Sequence, residues 1–216
     1  MNKVVCVFIL TNLFLSLSLA QEVKNTKYLY KVTKDSIGGL EIYAYKNSKD
    51  EIIVPFGKYP HVFTDTIKTI GFVIKFKKGI WAINLEGKEL YEVVPFDNGP
   101  DYLSEGLFRI LSKDHNVGFA NEHGKIVIKP KYPFVDPFYN GVARFCLECP
   151  KGMFFRSKDS TNKIPKNKER FGMIDLKGKV IIPAIYETIY VVDNMIRATK
   201  GTKEYFFDFT GKEILQ

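Results

Sequence analysis

The chain contains few of the side chains from which metal and redox centres are built. It has three histidines, three cysteines and one tryptophan among 216 residues. A structural zinc site needs four ligands at short, regular spacings. The histidines, His61, His115 and His123, do not stand at finger spacing to Cys146 or Cys149. We therefore predict no metal site and no cofactor.

Short motifs typical of nucleotide-binding proteins and hydrolases are also missing. The sequence has no P-loop, no GxGxxG and no GxSxG, the signatures of phosphate cradles and nucleophile elbows. Hydrolysis would need an activated nucleophile or two facing carboxylates. The acidic residues either recur at turns or have no partner that the sequence brings to them. Glu105, Asp136, Glu148 and Glu187, for example, do not recur at turns, and nothing in the sequence pairs them. We assign no catalytic residues and predict that the protein is not an enzyme.

Only one long apolar run is present, and it lies at the N-terminus. A lysine precedes the run, which extends from Val4 to about Leu19, and small residues stand at Ser18 and Ala20. This order is typical of a secretory signal, here residues 1–20. An N-terminal membrane anchor is the alternative, but the run is short for a bilayer span of about 20 residues. We predict export to the periplasm or the exterior, with no transmembrane segment after cleavage.

Acidic residues are in deficit, with 24 Asp and Glu against 32 Lys and Arg and a formal net charge of +8. The excess of positive charge is concentrated between Lys151 and Arg170, a segment that contains seven basic and two acidic residues. Outside the cytoplasm, such a segment meets anionic polymers or acidic proteins more readily than nucleic acid. We predict a protein or an anionic envelope or extracellular polymer as the partner, and no nucleic acid. A solvated loop that keeps the protein soluble is the alternative.

A short turn motif recurs along the chain. The best copies are GFANEHGKIVIKPKY (118–132) and GMIDLKGKVIIPAIY (172–186), and further copies lie at 81–96, 205–215 and 44–56. An Asn or Asp three residues before each turn position can accept backbone hydrogen bonds and open a type I turn. Glycine supplies a positive φ in four copies, and aspartate does so in the first. The turn positions, which lie 37, 37, 54 and 33 residues apart, are Asp50, Gly87, Gly124, Gly178 and Gly211.

Strands are predicted on both sides of each turn. The β-branched run after the turn is expected to stop at a proline, Pro55, Pro130 or Pro183, because proline cannot donate to a sheet ladder. A third short strand follows about ten residues later, as at Gly141–Phe145. No helical periodicity competes with this pattern.

The spacing predicts an all-β fold of tandem repeats, each of about 35 residues with three short strands, stacked as an open array. A propeller-like closure is the alternative. We assign residues 21–37 to an N-terminal lead-in and 38–216 to the repeat domain, with an insertion at about 147–169. Aromatic residues soon after the prolines, Tyr59, Tyr132 and Tyr186, are expected to pack between neighbouring units rather than to form an exposed ladder.

These units resemble the WG repeat, a bacterial β repeat. The pattern is clearest at Phe171, Gly172, Met173, Ile174, Asp175, Gly178, Lys179 and Pro183, and again at Gly118, Phe119, Asn121, Gly124, Lys125 and Pro130. The signature itself is degenerate, since Trp81 stands where glycine is expected and Val117 or Phe171 occupies the tryptophan place. The resemblance implies a repeat scaffold and supplies no catalytic residues.

Two cysteines border the insertion, in FCLECPKG. Cys146 and Cys149 are expected to form a small disulfide that pins the mouth of the insertion in an oxidising compartment. A catalytic redox pair is the alternative. Such pairs usually sit at a helix N-terminus, whereas here a strand leads in and Pro150 follows.

Together these patterns predict an exported, non-enzymatic β-repeat protein that acts as a binding or scaffolding module in the cell envelope or outside the cell. The rival hypotheses are a carbohydrate-binding module, with Trp81 as a reporter, and a thiol oxidoreductase using Cys146 and Cys149. The insertion supplies the predicted partner-binding residues, which are Lys151, Phe154, Phe155, Arg156, Lys158, Lys163, Lys166 and Lys168.

Overall fold

A computed structural model describes residues 28–35, 38–150 and 169–214. Within these ranges all regular secondary structure is β-strand. The predicted signal peptide at 1–20 lies outside the described residues, as do residues 151–168 of the predicted insertion.

Twenty strands follow one another along the described chain. They are β1 (Leu29–Asp35), β2 (Glu41–Lys46), β3 (Ile52–Val54), β4 (His61–Val62), β5 (Thr66–Ile67), β6 (Ile70–Ile74), β7 (Ile80–Asn84), β8 (Glu89–Val93), β9 (Pro95–Phe96), β10 (Gly99–Pro100), β11 (Leu107–Leu111), β12 (Val117–Asn121), β13 (Ile126–Tyr132), β14 (Phe134–Val135), β15 (Val142–Cys146), β16 (Phe171–Asp175), β17 (Val180–Tyr186), β18 (Thr188–Val192), β19 (Met195–Lys200) and β20 (Lys203–Phe207).

The strands form several antiparallel sheets. Their orders are β3-β2-β1-β5, β13-β12-β11-β8-β7-β6-β4, β14-β15-β16-β17 and β18-β19-β20, with a separate pair β10-β9. No sheet built from the described residues closes into a barrel. The predicted all-β repeat array is confirmed.

The phase of the repeat differs from the prediction in one respect. The third strand, which sequence spacing attached to the preceding hairpin, pairs with the first strand of the hairpin that follows it. Thus β11 pairs with β12, β15 with β16 and β19 with β20. The structural unit is therefore a three-stranded meander that begins with this strand and ends with the strand after the turn.

The turns have the predicted geometry in all five copies. At each turn the amide of the φ-positive residue donates to the carbonyl three residues earlier, as from Gly124 to Asn121 at 2.8 Å. The side-chain oxygen of Asn121 accepts from the amides of His123 at 3.1 Å and Lys125 at 3.0 Å. The same two side-chain bonds recur at Asn47, Asn84, Asp175 and Asp208. Asp50 replaces glycine with φ of 63°. The sequence prediction of these turns is confirmed.

The prediction that proline ends the strand is correct at Pro55, where β3 stops at Val54, and wrong at Pro130 and Pro183, which lie inside β13 and β17. These strands continue because the ladder bulges around the proline. Val117 pairs with Tyr132 and Phe119 with Ile128, so one residue opposes three. The extra residues bend the strand. The proline lies among these unpaired residues, so its lack of an N–H donor costs no ladder hydrogen bond.

A glycine faces each of these two bulges. A Cβ on Gly118 would lie 2.5 Å from the nitrogen of Pro130 and in conflict with the carbonyl oxygen of Ile128. A Cβ on Gly172 would lie 2.5 Å from the carbonyl oxygen of Ile182. The obstructing atoms are backbone, so no side-chain rotation relieves the overlap. Glycine is required here for close approach.

Successive copies pack turn against strand. The turn glycine Gly178 lies against the side chain of Ile128 in the preceding copy, and Gly211 lies against the backbone of Ile181. Tyr59, Tyr132 and Tyr186 are buried, each in a separate apolar cluster. The prediction that these rings form the core between units is confirmed.

Substitution of Gly118 by alanine is expected to destabilise the fold by about 2–3 kcal/mol, because the added methyl overpacks against backbone that cannot move aside. The free energy of unfolding should be measured by urea titration. Gly99→Ala is the matched control, since Gly99 has an ordinary φ and a Cβ there would first meet Phe63 at 3.9 Å. Equal stability of the two variants would contradict the close contact.

Substitution of Asn121 by alanine is expected to cost about 1 kcal/mol, the usual net worth of lost side-chain hydrogen bonds. Asn121→Asp should restore most of the loss, because aspartate makes the same two bonds at Asp175 and Asp208. Glu122→Ala, beside it on the exposed turn, is the control. Thermal melts of the three variants provide the comparison, and a loss in Glu122→Ala as large as that in Asn121→Ala would refute the assignment.

Candidate functional site: a groove between two repeat copies

The two cysteines predicted to pair are bonded in the structure. Cys146 and Cys149 have Cα atoms 5.6 Å apart and share a disulfide. Both residues are buried. The bond lies at the end of β15, where the chain leaves the sheet toward the insertion. All eight predicted partner-binding residues lie outside the described part of the chain; they are Lys151, Phe154, Phe155, Arg156, Lys158, Lys163, Lys166 and Lys168.

A buried ion pair joins Asp101 to Arg109. The Arg109 Nε donates to Asp101 Oδ2 at 2.9 Å and Nη2 donates to Oδ1 at 2.6 Å. The backbone amide of Arg109 also donates to Oδ2, at 2.8 Å. The carbonyl of Val135, in the next copy, accepts from Nη1 at 3.5 Å. Only 5% of the arginine side chain and 1% of the aspartate side chain are exposed. Burial with this many bonds makes the pair structural.

The same two residue types recur 35 positions later, as Asp136 and Arg144. In both copies the aspartate stands five residues before a turn glycine and the arginine three residues after it. Arg144 Nε donates to Asp136 Oδ2 at 2.7 Å. Here, however, 21% of the arginine side chain and 33% of the aspartate side chain are exposed. The second pair is therefore open to solvent where the first is closed.

Three aromatic rings hold the open arginine in place. The guanidinium carbon of Arg144 lies 4.8 Å from the ring centre of Tyr190, 5.1 Å from that of Phe171 and 5.7 Å from that of Phe134. Such cation–π contacts fix the plane of the guanidinium. Nε is bonded to Asp136, and within the described residues no hydrogen bond engages Nη1 or Nη2.

Two concavities adjoin at Tyr190. The first, of about 190 Å³, is lined by Asp136, Arg144 and Tyr139 together with β18 residues. The second, of about 260 Å³, is lined by Tyr190, Arg197, Thr188, Thr199 and Val192. We call the two together the junction groove, because they lie where the meander β15–β17 meets the sheet formed by β18–β20.

A third, separate concavity of about 500 Å³ is lined in part by Trp81. Lys77, Lys78 and His115 line it, and Glu92 lies at its wall. Burial raises the pKa of Glu92, while the nearby His115 acts in the opposite direction. The indole Nε1 donates to the carbonyl of Lys78 at 2.7 Å. The lysines make this concavity cationic, in contrast to the junction groove.

Sequence reasoning missed the Asp136–Arg144 pair. It left Asp136 and Glu105 without partners, and the structure corrects both statements: Glu105 accepts from the amide of Gly141 at 2.9 Å. The signal that could have found the pair is the Asp-x7-Arg spacing, present twice at an offset of one repeat. It was hidden because alignment on the hairpin turns drew attention to the turn aspartates alone.

The groove offers hydrogen bonding and ring stacking. Its lining includes the carboxylate of Asp136, the guanidinium groups of Arg144 and Arg197, and the rings of Tyr139 and Tyr190. Across the described residues, no group of three or more His, Cys, Asp or Glu side chains is placed to hold a metal ion. The same part of the chain contains no helix long and apolar enough to cross a membrane. The groove therefore combines hydrogen-bonding side chains with exposed aromatic rings.

A known repeat family matches two segments of the chain. The family model of the WG containing repeat matches residues 118–148 and 171–203. No curated protein matches the chain. Among solved structures, the computationally designed Ika8 protein is similar over 83% of this chain and 55% of that chain, with 10% identity and a TM-score of 0.30. This chain thus spans about half of that designed chain.

Loss of charge should affect the two ion pairs differently. Asp101→Asn is expected to cost about 3–5 kcal/mol, because it leaves the buried Arg109 without its counter-charge. Asp136→Asn is expected to cost about 1 kcal/mol or less, since water reaches that pair. Urea titration of both variants measures the contrast. A loss in Asp136→Asn equal to that in Asp101→Asn would show that the second pair is also structural.

Proposed function

Because the chain carries degenerate WG repeats, we propose that it is an exported, non-enzymatic β-repeat protein whose rigid array presents the junction groove to a partner in the cell envelope or outside the cell. The stacked meanders act as the scaffold. The groove is the main part of the proposed binding surface, and the basic residues of the insertion are proposed to add contacts with an acidic partner.

One observation carries this proposal, namely the contrast between the two equivalent Asp–Arg pairs. Asp101–Arg109 is covered by the following copy, whereas Asp136–Arg144 faces a concavity. A purely structural role would need only a buried pair such as Asp101–Arg109, in which each charge is neutralised inside the fold. An arginine that is held by three rings, and whose Nη groups have no hydrogen bond to the described residues, is instead preorganised for a ligand, and preorganisation reduces the cost of binding.

The insertion begins next to the groove. Cys146 stands two residues after Arg144 on β15, and side chains two apart leave the same face of a strand. The disulfide to Cys149 therefore anchors the point where the insertion leaves the sheet. Both cysteines are buried, which supports an anchoring role over thiol exchange, because redox-active cysteines are accessible to their substrates.

Affinity capture from envelope and exported fractions tests the proposal. The baits are the mature protein, a version lacking residues 151–168, and the groove variant Tyr190→Ala. Tyr102→Ala is the matched control, since Tyr102 is also about half exposed but lies outside the groove. We expect bound material that is retained by Tyr102→Ala and lost or reduced in Tyr190→Ala. The deletion reports separately on the insertion.

Bound material identified by mass spectrometry and by sugar analysis covers both protein and polymer partners. If Tyr190→Ala and the deletion each retain everything that the mature protein binds, the proposed binding surface is wrong. Retention of a partner by Tyr190→Ala combined with its loss in the deletion would move the binding site to the insertion.

A further inference from the structure

The junction groove balances its charges. Arg144 is paired with Asp136 at 2.7 Å, and Arg197 is paired with Glu204 on the neighbouring strand. Neither guanidinium therefore provides an uncompensated positive charge. An anionic ligand would gain little from the groove and would lie close to two carboxylates. The cationic concavity around Trp81 is the better place for an anion, and the groove favours a neutral ligand.

The groove offers donors and acceptors side by side. The Asp136 carboxylate accepts hydrogen bonds only, and the Arg144 guanidinium donates only. The hydroxyls of Thr188 and Thr199, 2.7 Å apart, do both. A hydroxyl group also donates and accepts, so neighbouring hydroxyls on one ligand can meet a carboxylate and a guanidinium at once. This combination selects a ligand rich in hydroxyl groups.

Tyr190 provides a flat apolar surface between the two concavities. One face of its ring lies over the Arg144 guanidinium, at 4.8 Å. The residue is nevertheless 52% exposed, and it pairs across the ladder with Arg197. Because the contact with Arg144 already holds the ring in place, a ligand that packs on its exposed side loses little side-chain entropy. Aromatic side chains commonly have this role in recognition.

The size of the groove limits the ligand further. Concavities of about 190 and 260 Å³ are each smaller than the roughly 300–1,000 Å³ of a pocket for a drug-sized molecule. Each therefore takes a group the size of one ring. Tyr190 lines both concavities, so together they fit two successive units of a linear chain.

We propose that the junction groove binds a neutral oligosaccharide, with Tyr190 as the stacking surface and the Asp136–Arg144 pair as the hydrogen-bonding group. This inference rests on the proposed binding function and names its ligand class. One sugar unit lies in the concavity of Asp136 and Arg144, with its hydroxyls on the carboxylate and the Nη donors. The next unit lies over Thr188 and Thr199.

Calorimetric titration of the mature protein with maltohexaose, cellohexaose and chitohexaose tests this inference, with hexagalacturonate as the acidic counterpart. At least one neutral hexasaccharide should bind. Tyr190→Ala should weaken it by about tenfold, the effect of losing one aromatic contact. Asp136→Asn should also weaken it, whereas Tyr102→Ala should not. Circular dichroism melts establish that each variant is folded.

Salt separates this site from simple charge attraction. Binding of the neutral sugar should persist when the salt concentration rises from about 0.05 M to about 0.5 M, because no net charge is involved. The inference is overturned if the folded protein binds none of the neutral sugars, if Tyr190→Ala binds them as well as the wild type, or if only hexagalacturonate binds and high salt abolishes that binding.

The two proposals fail separately. A protein partner captured by the wild type and lost in Tyr190→Ala would leave the proposed function standing, while a negative titration with all three neutral sugars would remove the saccharide. A neutral sugar that binds in the titration while capture is unchanged in Tyr190→Ala would support the groove as a glycan site and remove it as the main capture surface.

Discussion

The close approach of a glycine to a bulged proline segment is the constraint on which the rest of the array depends. At Gly118 and Gly172 the facing strand inserts extra residues, and its backbone occupies the space that a Cβ would need. The bulge bends β13 and β17. The chain then enters the next sheet through β14 or β18, after burying Tyr132 or Tyr186 at the corner.

The copy around Trp81 shows what happens without this contact. Trp81 occupies the glycine position, and it pairs directly with Glu92 in a ladder that has no bulge opposite it. β8 then continues into pairing with β11, through Val93 and Ile110. Two meanders lie here in one seven-stranded sheet, which contains both β8 and β11. After each of the two bulged strands, in contrast, the strand that begins the following meander, β15 or β19, belongs to a different sheet.

One of the two bulges lies next to the groove. The chain turns after Tyr186, and Tyr190 then lies over the Arg144 guanidinium. The Asp136–Arg144 pair itself does not depend on a bulge, because Asp101 and Arg109 pair at the same spacing after the copy that lacks one. The difference between the closed Asp101–Arg109 pair and the open Asp136–Arg144 pair then depends on what the following copy places above each arginine: Val135 in one case and Tyr190 in the other.

Local chemistry made much of this fold predictable from sequence. Asn121 and Gly124 specify their turn through hydrogen bonds within five residues, so the turn of each copy can be predicted from its local sequence. Pro130 was misread, because whether proline ends a strand or lies in a bulge depends on the glycine across the ladder, which spacing alone does not place. The groove was missed for the same reason: Arg144 and Tyr190 are 46 positions apart in the sequence, and only the stacking of copies brings them together.

Nuclear Overhauser contacts across β12 and β13 test the central claim most directly. The bulge predicts contacts between the backbone protons of Val117 and Tyr132, together with contacts between Phe119 and Ile128. A regular ladder continuing from Phe119 and Ile128 would instead place Val117 opposite Pro130. Contacts from Val117 to Tyr132 would establish the bulge, and contacts from Val117 to Pro130 in their place would contradict it.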